Sequence, residues 1–270
     1  MTTEKWLKQT TAKLEAAGIG TARLDALVLL EDATGHNRSY LLAHPELDVK
    51  GSTYHKLEAQ LKRRAEHEPL AYIRGKTEFY GRDFLIDERV LEPRPESETM
   101  IDLLKTVRGS TYHIVDVGTG SGALAITAKL ELPEANVTGI DIDPECIRVA
   151  KKNAQQHHVE IEFMQGNLLK PLSSLAPESS ILLCNLPYVP DSFTINTAAM
   201  REPSIAIFGG ADGLNLYRQL FKQISDFNLK VQCILTESMP PQHSKLEEIA
   251  NKYGYMQTNH DDFIQLFRRP

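Results

Sequence analysis

The stretch Asn185-Leu186-Pro187-Tyr188 carries residue types suited to chemistry on a nitrogen. It follows the apolar run Ile181-Leu182-Leu183-Cys184, which predicts a short buried strand. An amide side chain at a strand's end and a neighbouring backbone carbonyl can together accept both N–H bonds of an –NH2 group. The nitrogen is then oriented with its lone pair free to attack. Leu186, biased towards extended backbone by Pro187, is expected to supply that carbonyl. The Tyr188 ring can pack on the flat group being modified. The competing reading of Asn185 is an Asx-type turn before proline.

Upstream lies a second feature, Asp116-Val117-Gly118-Thr119-Gly120-Ser121-Gly122, set between an expected strand and an expected helix. Glycines let a backbone turn tightly and approach a ligand. The spacing is G-x-G-x-G, not the dinucleotide G-x-G-x-x-G, and a tight turn alone could account for it. Asp141 follows Gly122 by nineteen residues, at the end of the expected strand that includes Val137-Thr138-Gly139-Ile140. A carboxylate there can accept both hydroxyls of a ribose; it could instead cap the next helix, a role equally open to Asp143 before Pro144. Asn167 falls where a third cofactor contact is expected, or serves as a loop amide bonded to its own backbone. Ligands of such sheets bind at the carboxyl ends of the strands. Taken together, these residues predict a methyltransferase that uses S-adenosylmethionine (SAM), releases S-adenosylhomocysteine and methylates a nitrogen.

Other chemistries find little support. The chain has no H-E-x-x-H and no G-x-S-x-G. His157-His158 reads as a solvated helix end and Cys184 as packing. Cys146, Cys184 and Cys233 form neither a disulfide framework nor a zinc pattern, so no metal is expected and the thiols read as reduced and cytoplasmic. The amino-terminal residues lack the build of a signal peptide, and no apolar run approaches the ~18 residues that span a bilayer. Lys+Arg 30 against Asp+Glu 36 gives a formal net charge of -6. That balance argues against broad nucleic-acid binding, and Lys62-Arg63-Arg64 reads as a solvated helix face. A monomer is expected.

Stops and caps place the elements that must position these residues. Residues 1–71 predict a helical bundle. Its first helix carries Trp6, Leu7 and Leu14 and stops at Gly18. The second carries Leu24, Leu27 and Leu30 and stops at Gly35. A short third follows Asn37. The fourth is capped by Ser52, carries Tyr54, Leu57 and Leu61, and is closed by Pro69. Residues 72–92 predict a hairpin, with Phe79 and Phe84 flanking Gly81-Arg82-Asp83. Residues 93–270 form the expected catalytic domain. Pro95 suits the first turn of a helix carrying Met100, Leu103, Leu104 and Val107. Strands are expected at 112–116, 136–141, 159–163, 180–184, 230–236, 255–259 and 262–267, and helices at 121–131, 144–157, 213–226 and 241–253. Such alternation predicts a largely parallel sheet covered on both faces, with the last two strands antiparallel.

Over nearly its whole length the chain resembles the HemK/PrmC family of protein-glutamine methyltransferases. The resemblance rests on Ala17-Gly18-Ile19, Asp25-Ala26 and Pro69-Leu70-Ala71-Tyr72-Ile73-Arg74-Gly75 in the helical part. It continues through Glu78-Phe79-Tyr80-Gly81 and Pro93-Arg94-Pro95-Glu96-Ser97-Glu98, and then Glu202-Pro203, Ala206, Gly209-Gly210 and Asp212-Gly213-Leu214. It implies an α/β fold: a seven-stranded, mostly parallel sheet of the SAM-dependent methyltransferase (Rossmann-like) type with a small amino-terminal helical domain. It also implies, as substrate, the G-G-Q glutamine of class I peptide chain release factors, docked by the helical domain. Two departures stand out. The family's loop is N-P-P-Y, and this chain has Leu186 at the first proline. The family's final strand follows a D-x-x-G-x-x-R pattern, here Asp261-Asp262-Phe263-Ile264-Gln265-Leu266-Phe267-Arg268 without the glycine. N-L-P-Y also resembles the loop of rRNA adenine dimethyltransferases, so an adenine amino group in RNA or DNA is the alternative acceptor. A non-catalytic SAM-binding module is the third reading.

Overall fold

The computed structural model describes residues 1–107, 113–173 and 180–269. The chain forms two compact units, Met1–Gly75 with Asn196–Arg201, and Lys76–Ile195 with Glu202–Pro270.

The first unit is helical: α1 (Thr3–Ala16), α2 (Ala22–Thr34), α3 (Arg38–Ala43), α4 (Gly51–Ala65) and α5 (Leu70–Arg74). The Asn37 side chain accepts from Tyr40 N at 2.9 Å and starts α3. Gly35, in the left-handed region, ends α2. Trp6, Leu29, Leu30, Leu41 and Leu57 are fully buried in one core, and the Trp6 indole donates to Glu58 at 3.1 Å. A buried ion pair ties α2 to α4, with Arg64 Nε donating to Asp25 Oδ2 at 2.6 Å. The Arg201 guanidinium donates to the Glu66 carbonyl at 2.7 Å.

Three expectations for this part are corrected. Leu24 is exposed, because the buried arc of α2 runs through Ala22, Asp25, Ala26, Leu29 and Leu30, and Leu24 lies opposite it. Ser52 lies inside α4, whose extended cap residue is Lys50. Helix α4 ends at Ala65, and Pro69 instead precedes α5.

The second unit opens with the hairpin β1 (Lys76–Phe79) and β2 (Arg82–Leu85). Tyr80 (φ 52°) and Gly81 (φ 70°) make its two-residue turn, the primed type whose twist suits paired strands. Asn153 holds the hairpin, accepting from Leu85 N at 2.7 Å and donating to Leu85 O at 2.9 Å. A 3-10 turn at Pro95–Ser97 leads into α6 (Glu98–Thr106). Then follow β3 (His113–Val117), α7 (Ala123–Glu131), β4 (Asn136–Asp141), α8 (Pro144–Gln156), β5 (Glu162–Gln165), β6 (Ser180–Cys184), α9 (Asn215–Asp226), β7 (Val231–Glu237), α10 (His243–Asn251), β8 (Met256–Asp261) and β9 (Ile264–Arg268).

The seven strands run in the order β5-β4-β3-β6-β7-β9-β8. The first five are parallel, and β9 is antiparallel to both β7 and β8. Successive strand side chains point to opposite faces, and both faces are buried. Ile114, Ile181, Leu183 and Leu235 pack with α6 and α7. Val115, Leu182, Ile234 and Leu186 pack with α9 and α10. The fold is therefore α/β and Rossmann-like.

Small shifts have local causes. The strand expected at 159–163 is Glu162–Gln165, because pairing to β4 begins at Thr138↔Glu162 while Val159 and Ile161 pack against the core ahead of it. The helices expected from 121 and 213 start at Ala123 and Asn215, after the left-handed Gly122 and Gly213. The helix expected at 241–253 is His243–Asn251, behind a 3-10 turn at Pro240–Gln242. Tyr112, at the start of the expected 112–116 strand, lies outside the described residues. Among the described residues no helix is long and apolar enough to cross a membrane.

Candidate active site

Asp116, Asp141, Asn167, Asn185 and Glu237 all stand at or just past the carboxyl ends of parallel strands, and so gather on one edge of the sheet. The glycine loop joins β3 to α7 and is stitched to β4: Gly118 N and Thr119 N donate to Ile140 O at 2.8 and 2.9 Å. Gly118 has φ +77°, and a Cβ there would lie 3.2 Å from Leu186 Cδ2. The loop and the Asn185 segment thus touch where a side chain would part them.

A cavity of about 210 Å³ runs along this edge. Of the candidate residues, Gly118, Gly120, Asp141, Asn167, Asn185, Leu186 and Pro187 line it. Asp116, Thr119, Ser121 and Gly122 do not; they hold the loop from behind. The buried Asp116 Oδ2 accepts from Thr119 Oγ1 at 2.6 Å and from Ala125 N at 3.1 Å. It thereby supplies the acceptor that the first turn of α7 lacks at its Gly122 cap. Burial pushes the Asp116 carboxyl up to about 7.

Asp143 caps α8, accepting from Glu145 N at 2.8 Å. The Asp141 carboxylate faces the cavity, one oxygen taking Gly120 N at 2.9 Å and the other Asp143 N at 2.9 Å. Each oxygen keeps a lone pair for a further donor. Burial raises the Asp141 carboxyl. Asn167 is positioned through its carbonyl, which accepts from the Gln223 side chain at 3.4 Å.

A second, smaller cavity of about 80 Å³ adjoins the first, and the two share Leu91, Asn185 and Ala206. Tyr188, Arg94 and Glu237 line the smaller one. Asn185 therefore stands in the wall between them. Its Nδ2 donates to Ser97 Oγ at 2.9 Å, Ser97 Oγ donates to Glu237 Oε2 at 2.5 Å, and Tyr188 OH donates to Glu237 Oε1 at 3.1 Å. Burial raises the Glu237 carboxyl to about 6, opposed by the Ser97 and Tyr188 hydroxyls and the Asn185 amide. Burial and the neighbouring Glu237 charge push the Tyr188 phenol up, so it stays a donor.

The loop is clamped from three sides. Gly209 N donates to Val189 O and Val189 N to Ile207 O. A Cβ at Gly213 would lie 1.9 Å from Tyr188 O, so this position excludes any side chain. Leu186 N donates to Tyr217 OH at 3.4 Å, and that phenol in turn reaches the Cys184 and Glu237 carbonyls at 2.9 and 2.5 Å. A proline at 186 would lack this N–H. Leu186 itself is buried, so its side chain and the clamps restrain the loop where the ring is absent.

Sequence reasoning missed Ser97 and Glu237. Ser97 looked like part of a helix start. Glu237 had a usable signal: it is the acidic residue that ends β7 (Val231–Glu237), as Asp141 ends β4.

Residues 5–75 match the PrmC N-terminal domain, and residues 108–239 match a methyltransferase domain. A release factor glutamine methyltransferase of Koribacter versatilis is 34% identical, covering 83% of this chain and 81% of that one. One from Aliivibrio fischeri is 30% identical, covering 94% and 90%. Among solved structures, the hMettl16 catalytic domain in complex with the MAT2A 3′UTR hairpin 6 aligns with a TM-score of 0.55 at 14% identity over 83% of each chain, a likeness of fold alone. With relatives at 30% identity or more over most of both chains, and with the PrmC N-terminal domain matched besides, the chain belongs to the release factor glutamine methyltransferase family.

Proposed function

We propose that this chain transfers the methyl group of SAM to the side-chain amide nitrogen of a glutamine, the one in the G-G-Q motif of class I peptide chain release factors. Asn185 carries the reading, because it stands in the wall shared by the cavity that Gly118, Gly120 and Asp141 line and a smaller second one. The name shared by the curated relatives, release factor glutamine methyltransferase, favours glutamine over adenine as the acceptor.

The residues present fit SAM: Asp141 offers lone pairs to a ribose, Gly118 and Gly120 give a bare backbone wall, and Asn167 and Leu168 close one side. Bound there, SAM supplies an electrophilic methyl on a sulfonium. Asn185 Oδ1 and the Leu186 carbonyl accept the two N–H bonds of the substrate amide and aim its lone pair across the shared wall. Accepting both hydrogens also favours the positive charge that grows on nitrogen. As the N–C bond forms and the C–S bond breaks, the nitrogen sheds one proton to solvent. Tyr188 packs on the amide plane, and the helical unit docks the release factor. Class I release factors act in translation, which places the enzyme in the cytoplasm.

The test is transfer of labelled methyl from SAM to a purified class I release factor, with its G-G-Q glutamine changed to alanine as control and an RNA substrate in parallel. Label on the native factor alone supports the reading; label on RNA alone sinks it. Asn185→Ala lowers the rate by about 100-fold or more while SAM affinity stays within a few fold. Equal loss of both would contradict the role given to Asn185.

A further inference from the structure

We infer that Glu237, acting through the Ser97 hydroxyl, sets which end of the Asn185 amide faces the acceptor group; this rests on the role of Asn185 proposed above. An amide's N and O are told apart by their hydrogen-bond partners, and here the partners decide. A carboxylate can only accept. Ser97 has one hydroxyl hydrogen and gives it to Glu237 Oε2 at 2.5 Å. Its oxygen then offers only lone pairs to Asn185, which must turn Nδ2 towards it, at 2.9 Å. Oδ1 is left as the free acceptor, the atom that a substrate –NH2 needs. Tyr188 OH, donating to the other Glu237 oxygen at 3.1 Å, fixes the carboxylate plane.

Protonation reverses the direction. A carboxylic acid at 237 can donate to Ser97, Ser97 can donate to Asn185 Oδ1, and the Asn185 –NH2 is then presented where an acceptor is required. Donor would meet donor, and the substrate amide would lose its grip.

The surroundings keep this reversal within reach. Burial raises Glu237 to about 6, and Glu96 on the preceding 3-10 turn adds to the rise. Arg94 lines the same cavity. The Tyr217 phenol from α9, held neutral by burial, donates to the Glu237 carbonyl. His243 at the start of α10, its pKa lowered by burial, lies 3.3 Å from the neighbouring Ser238 carbonyl. Glu237 is thus a positioning residue: hydroxyls engage both its oxygens, the Asn185 amide also hydrogen-bonds it directly, and it reaches the acceptor site through Asn185.

Four proteins test this: the wild type, Glu237→Gln, Ser97→Ala and the double variant. Each is assayed for methyl transfer to a class I release factor from pH 5.5 to 8.5, with SAM affinity by calorimetry as the control for folding. The wild-type rate falls below pH ~6, approaching tenfold per pH unit. Glu237→Gln keeps an oxygen for Ser97 to donate to but cannot ionise, so its profile loses that acid limb. Ser97→Ala cuts the link; its rate at pH 8 falls about tenfold or more, further than that of Glu237→Gln, and the double variant is no slower than Ser97→Ala. SAM affinity stays within about threefold throughout.

An unchanged acid limb in Glu237→Gln overturns the inference, as does wild-type activity in Ser97→Ala or multiplied losses in the double variant. Loss at every pH in Glu237→Gln, with Ser97→Ala active, would make Glu237 the proton acceptor and likewise overturn it. Retained activity in Asn185→Ala brings down the underlying reading as well; an inactive Asn185→Ala beside an unchanged limb brings down this inference alone.

Discussion

The Gln242 side-chain amide donates to the Tyr188 carbonyl at 2.7 Å and to the Asp212 carbonyl at 2.9 Å. One residue between β7 and α10 therefore fastens both the Asn185 loop and the glycine turn that packs against it. Gln242→Leu leaves two carbonyls without this donor, at a cost of about 1–3 kcal/mol. Methyl transfer should fall while SAM affinity changes little, since Gln242 does not line the larger cavity, where SAM is proposed to bind. Urea unfolding and calorimetry check the two halves; a parallel loss of SAM affinity would mean that the loop and the cofactor wall move together.

Asp141 and Asp143 both line the larger cavity, but Asp143 also spends its carboxylate on capping α8. Asp141→Ala removes the charged acceptor at the proposed ribose site and the anchor of Gly120 N. It should weaken SAM binding by about 1.5–3 kcal/mol, or roughly 10- to 150-fold in Kd. Asp143→Ala removes a helix cap and should cost about 1 kcal/mol of stability, with a much smaller change in SAM affinity. A reversed order would assign the ribose to Asp143.

Asp141 and Asn185 were legible in the sequence because each ends a short apolar run, so the strand and the chemistry are written in neighbouring residues. Four of the five parallel strands were legible from their apolar residues too; β5, read from the alternation of Val159, Ile161 and Phe163, came three residues later than expected. Helix α5 was not: it has five residues between Pro69 and Gly75, too few to show a helical period. Leu24 misled because three leucines at i, i+3 and i+6 drift around a helix. The Ser97–Glu237 contact joins residues 140 apart. No local pattern encodes such a pair; it follows from the packing of α6, which Ser97 precedes, against β7.

Burial of Asp116 has a cost that depends on pH. Its carboxyl is raised from 3.8 to about 7 in the folded chain. Between those values the unfolded chain releases this proton and the folded chain keeps it, so this group's stabilisation is present below pH ~4 and is lost as pH rises towards 7. Asp116→Asn can still accept from Thr119 and does not ionise. The stability of the wild type relative to Asp116→Asn should therefore fall between pH 4 and pH 7 and level off above. Urea midpoints at pH 5, 6 and 8 measure it, and a flat difference would mean that Asp116 is ionised throughout.

In the helical unit, Asp25→Ala leaves the buried Arg64 guanidinium without its carboxylate and should cost about 3–5 kcal/mol. Replacing both, as Asp25→Leu with Arg64→Met, should recover most of that loss, because two apolar side chains carry no desolvation penalty. Thermal unfolding of the three proteins decides it.

Strand β9 follows β8 in the chain yet lies between β8 and β7, where Ile264 pairs with Glu237. During synthesis, then, β7 waits with a bare edge until residues 264–268 have left the ribosome. A nascent chain stopped short of them already holds the glycine loop, Asp141 and Asn185, but the backbone carrying Glu237 has no partner on that side. Such an edge invites pairing with other chains, so a chain ended before residue 264 should yield aggregates rather than a partly active enzyme.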